Sequence, residues 1–201
     1  MPELELPLVI AAILAGTLAV TSAGRGAWIA MVILVVTSSA LEFAIASLDR
    51  IGLMLRLAAI GIGLAVAIPG NLFERAGLRR DLALRRLVAT LGEHPVVIAS
   101  ALAGLLLGLV PLALPIESSS DTLRAAGITL IVVGLPPLLT SRFIEATSRA
   151  AVVTLAGTLL LRTSIFGALD PLGSLAVAAG FACILIVGSG VASRISSAEE
   201  E

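Results

Sequence analysis

Seven long apolar runs, separated by short polar stretches rich in arginine, govern what this chain can fold into. They lie near 6–23, 27–47, 51–69, 95–115, 125–141, 150–165 and 173–192. A bilayer crossing takes about 20 mainly apolar residues. The runs are continuous rather than alternating, which excludes the wall of a β-barrel. Apolar residues make up 58% of the chain and charged residues 13%, and the mean hydropathy is +1.11. A soluble domain is about half apolar and about a quarter charged. A chain of 201 residues has too little interior to hide the excess from water. The expectation is therefore an all-α, polytopic transmembrane bundle of about seven spans, forming a single domain in the cell membrane with the lipid bilayer around it.

The basic residues between the runs set an orientation. Arg25, Arg75, Arg79, Arg80, Arg85, Arg86, Arg142, Arg149 and Arg194 fall on one side, and only Arg50 and Arg124 on the other. The positive-inside rule then places the N-terminus outside and the C-terminus in the cytoplasm. The start, Met1-Pro2-Glu3-Leu4-Glu5, lacks the basic stretch of a secretory leader, so the first run reads as a span. One cysteine, Cys183, excludes an internal disulfide, and one histidine, His94, excludes a multi-histidine metal site.

The longest polar stretch, 70–94, contains a candidate amphipathic helix over 72–92. Leu78, Leu82 and Leu91 can form its apolar side, with Arg75, Arg79, Arg80, Arg85 and Arg86 as a basic cytoplasmic surface. Such a helix can rest on anionic headgroups or dock a cytoplasmic partner. No nucleic-acid partner is expected.

Three ionisable residues sit inside the apolar runs: Glu42, Arg56 and Arg162. A charge at mid-bilayer costs about 2.5–3.5 kcal/mol on insertion scales, so it turns toward protein. Glu42 precedes, and Arg56 follows, the tight turn Leu48-Asp49-Arg50 at similar distances. A helical hairpin would place them at matched depth, and an intramembrane ion pair is expected. The pair can lock two helices together or contribute to an ion path. Arg162 is expected to snorkel to the headgroups.

Ser100, Gly104 and Gly108 recur every four residues and suit a closely packed helix interface. Pro136-Pro137 removes two backbone donors in mid-span and predicts a helix break or kink. No phosphate-cradling glycine loop, HExxH or CxxC occurs, so neither a catalytic site nor a cofactor is expected.

The layout resembles the E-type membrane subunit of group-4 membrane-bound hydrogenases, the hydrogenase-4 component E (HyfE-like) family. The resemblance lies mainly in 125–195 and is carried by Arg142, Ile144, Gly157 and the closing Ala192-Ser193-Arg194-Ile195, with Arg56 in the third span. It implies a seven-span subunit whose last three spans are related to a small complex I subunit. Two positions depart from the pattern: Leu155 and Gly180 stand where the family carries acidic residues. Without those carboxylates the resemblance implies a packing subunit rather than a proton-conducting one.

The functional expectation is a non-catalytic membrane subunit of a respiratory or ion-translocating complex, with other membrane subunits as partners. The alternative is a self-contained transporter of a small solute or ion, with a polar cavity near Pro136-Pro137 lined by Glu42 and Arg56.

Overall fold

A computed structural model describes residues 2–22, 25–46, 50–67, 95–109, 120–141 and 144–199. These form seven helices: α1 (Pro2–Thr21), α2 (Arg25–Ala46), α3 (Arg50–Ala67), α4 (Pro95–Leu109), α5 (Asp121–Thr140), α6 (Ile144–Phe166) and α7 (Pro171–Glu199). No strand occurs among the described residues. Each apolar run of the sequence overlaps one helix.

Helix starts follow local capping rather than hydropathy. The fifth run was expected from 125, but α5 begins at Asp121, because the Ser120 hydroxyl accepts the Leu123 N–H at 3.3 Å. The sixth was expected from 150, but α6 begins at Ile144 and takes Arg149 into the helix. At the far end of α6, Gly167 adopts φ 79° and returns its N–H to the Thr163 carbonyl at 3.0 Å, a left-handed stop suited to glycine. Asp170 then opens α7 by accepting the Gly173 N–H at 3.2 Å.

Three helices contain stretches long and apolar enough to cross a bilayer: Gly26–Ala44, Asp121–Thr140 and Ala146–Phe166. The apolar parts of α1 and α7, Glu5–Thr21 and Pro171–Val187, are shorter.

The core lies among α1, α2, α5 and α6. Its fully buried side chains include Met31 and Leu34 of α2, Leu123 and Leu130 of α5, and Val152 and Leu160 of α6. The most extensive contact is between α5 and α6. The α7 helix joins the core through Ala178, Phe181 and Leu185. Two helices stand further out: α3 packs mainly on α7, and α4 mainly on α5.

Contacts across the core set relative depths. Gly16 of α1 faces Leu34 of α2, Leu130 of α5 and Val153 of α6, so these residues share one level. The turns at Ser22 and Ser141 lie toward one end of the bundle. Asp121 and the α6–α7 turn lie toward the other.

Candidate functional site

Among the described residues three charged side chains are buried: Glu42 at 0% exposure, Arg124 at 5% and Arg149 at 9%. Only Glu42 was anticipated inside. Arg124 and Arg149 were expected in loops, and both instead sit within helices.

The Arg149 guanidinium donates to the Ser22 carbonyl at 2.7 Å. Ser22 follows the last turn of α1, where carbonyls lack intrahelical donors and the helix dipole is negative. Arg149 thus caps another helix, 127 residues away in sequence. Arg162 acts similarly on its own helix. It donates to the Gly167 carbonyl at 2.9 Å, and its guanidinium stands 6.0 Å from the centre of the Phe166 ring. This cap holds the guanidinium beside the α6–α7 turn. Arg124 meets Asp121 at 3.0 Å within the first turn of α5. The carboxylate is exposed and the guanidinium is not, so the pair joins the surface to the interior.

Glu42 lies on α2, about 12 Å from the Leu34 level toward the Asp121 end. Arg56 lies within α3, but its side chain falls outside the described residues, as does the expected pairing. The basic surface of Arg75, Arg79, Arg80, Arg85 and Arg86, and the whole candidate helix 72–92, also fall outside them.

The helix does not break at Pro136-Pro137. It continues through both prolines to Thr140, whose hydroxyl donates to the Pro136 carbonyl at 2.8 Å. The Ser141 N–H reaches the Pro137 carbonyl at 3.0 Å. Each proline leaves one carbonyl, of Val132 and Val133, without its usual intrahelical donor, and the helix continues all the same. The prolines lie about 9 Å from the Leu130 level toward the Ser22 end, on the other side of that level from Glu42. The fold does not bring the two features together.

Of the predicted small-residue stripe, Gly104 makes the close approach: a Cβ there would lie 2.8 Å from Thr129 Cα. The Ser100 hydroxyl bonds to Val96 of its own helix at 2.8 Å, and Gly108 lies in the last turn of α4. A tighter crossing went unpredicted as a site. A Cβ on Gly157 would meet the Gly127 carbonyl at 2.7 Å, and one on Gly127 would meet the Gly157 carbonyl at 2.8 Å. The two backbones therefore touch, which only glycine at both positions permits. The recurrence of Gly127 and Gly134 along one helix face was the available signal.

Leu155 packs against the core, and nothing lies within 4 Å of a Cβ on Gly180. Three of the buried hydroxyls bond to their own helices, Thr17 to Ile13, Thr37 to Ile33 and Thr129 to Ala125, at 2.7–2.8 Å. A groove of about 560 Å³ opens between the start of α6 and the middle of α7, lined by Ile144, Thr147, Ser148, Cys183 and Val187 among others. No group of three metal-ligating side chains occurs among the described residues.

Comparison with protein families, with characterised proteins and with solved structures finds no match to this chain.

Proposed function

We propose that this chain is a non-catalytic integral membrane subunit of a respiratory or ion-translocating assembly of the hydrogenase-4 component E kind. It stands in the cell membrane with its N-terminus outside and its C-terminus in the cytoplasm. One observation carries the reading. The arginines with resolved partners end on structural groups: Arg149 on the terminal carbonyl of α1, Arg162 on the end of α6, and Arg124 on a first-turn aspartate. Charges used in this way fasten helices rather than handle a substrate. Three helices long and apolar enough to cross a bilayer support the membrane setting. The apolar outer faces of α3 and α4, with Met54, Ile62, Leu102 and Leu106 exposed, suit lipid or neighbouring subunits.

Extraction in mild detergent followed by native electrophoresis tests the proposal. The chain should migrate with other membrane proteins and lose thermal stability when separated from them. A chain that is monodisperse and equally stable alone, and that supports solute or ion flux in liposomes, would instead be the self-contained transporter.

A further inference from the structure

We infer that the chain uses one three-helix unit twice, as α1–α3 and as α5–α7, with α4 as the connector that lets both copies stand the same way up. The first helices of the two units end alike. α1 and α5 are both 20 residues long. Each finishes on Thr followed by Ser: Thr21-Ser22 and Thr140-Ser141. The threonine hydroxyls donate four residues back, to Thr17 at 2.9 Å and to Pro136 at 2.8 Å. The serine N–H groups do the same, to Leu18 at 2.9 Å and to Pro137 at 3.0 Å. The second helices, α2 and α6, have 22 and 23 residues. The sequence that follows reads Leu48-Asp49-Arg50-Ile51-Gly52 in one unit and Leu169-Asp170-Pro171-Leu172-Gly173 in the other. Arg50 and Pro171, third in each string, are the first residues of α3 and α7.

Packing repeats the same correspondence. α1 lies against α5, α2 against α6 and α3 against α7. Gly52 faces Pro171 and Ser174 near the starts of α3 and α7, and Gly63 faces Ala182 further along both. Matching helices therefore run parallel, and corresponding residues of α3 and α7 stand at similar depth. The short shared strings would carry little alone. Their weight comes from standing at the ends of α1 and α5 and at the starts of α3 and α7, helices that lie in contact.

Membrane topology then gives α4 a reason to exist. A unit with three crossings, joined directly to a copy of itself, would turn the second copy upside down. Stacking like helices in parallel needs one further crossing between the units. The chain leaves α3 at the Ser22 end and enters α5 at the Asp121 end, and α4 lies in the stretch that must make that passage. Its peripheral place, packed mainly on α5, fits a connector.

Split-chain expression tests the repeat. The full chain is produced as two co-expressed pieces, cut either near residue 80, between the units, or at 142–143, inside the second unit. The first pair should accumulate and copurify near the level of the uncut chain, and the second should fall several-fold. Equal recovery from both cuts, or better recovery from the second, would overturn the inference. A second variant replaces 95–109 by a generic leucine–alanine span of equal length that keeps Gly104. It should retain the C-terminal reporter on its original side and hold the melting temperature within a few degrees, whereas deletion of 95–109 should move the reporter or abolish accumulation. Failure of the generic span would show that α4 is more than a connector.

Discussion

Where α5 meets α6, Gly127 and Gly157 bring two backbones into contact, and large side chains fill the space on either side. α3 and α4 are held differently. Each rests on one main neighbour and presents Met54 and Ile62, or Leu102 and Leu106, outward. The outer helices also use small residues, Gly63 against Ala182 and Gly104 against Thr129, but only one side of each contact is a glycine. In lipid, apolar side chains gain little by leaving the solvent, so close backbone packing must hold helices together. The α5–α6 pair has that packing from both partners. The outer helices have it from one side only, and the rest of their surface is apolar and exposed.

Glycine substitution should give the largest contrast. At Gly157 the added carbon alone would lie 2.7 Å from both the Gly127 carbonyl and the Ile131 nitrogen, so Gly157→Leu must push the helices apart. Overpacking typically costs about 1–3 kcal/mol and more when backbone cannot yield, so little folded protein is expected. At Gly61, on the outer helix α3, nothing lies within 4 Å, and Gly61→Leu should shift stability by no more than about 0.5 kcal/mol. Detergent melting curves, read by size-exclusion chromatography after heating, measure both. Similar losses at the two sites would erase the distinction between the regions.

The expected Glu42–Arg56 pair joins the regions, since α2 belongs to the core and α3 to the periphery. Glu42→Gln should destabilise the protein by roughly 3–5 kcal/mol if it strands the arginine. Adding Arg56→Gln should then recover part of the loss. Strictly additive losses in the double-mutant cycle would mean that the side chains do not meet.

Hydropathy exposed the helices because lipid selects for apolar length, and Glu42 was recognised as interior because apolar residues surround it in sequence. It misplaced the starts of α5 and α6 because capping, not apolarity, decides where a helix begins. Arg124 and Arg149 were lost for a related reason: an arginine beside an apolar run reads as a loop marker. Asp121 and Arg124, three residues apart behind Ser120, carried a local signal of a helical first turn. Nothing in sequence links Arg149 to Ser22, since that contact exists only after α1 and α6 pack. The crossing of Gly127 with Gly157 is equally non-local. Small residues recur throughout such helices, and only the partner decides which of them meet.

Arg149 and Arg162 offer the finest comparison, because both arginines donate to a carbonyl at a helix end. Arg149 does so while buried and between two core helices, at 2.7 Å. Arg162 does so from a half-buried position, to a carbonyl five residues along its own chain, at 2.9 Å. Hydrogen bonds to charged groups contribute about 1.5–3 kcal/mol when water cannot replace them. Arg149→Gln should therefore lower stability by about that amount and loosen α1 from α6. Faster hydrogen exchange should follow in the last turn of α1, around Leu18 to Ser22. Arg162→Gln exposes its carbonyl to water or headgroups that can substitute, so its loss should stay below about 1 kcal/mol. If the order reverses, the end of α1 is held by something other than the Arg149 contact, and the buried arginine must answer to a different partner.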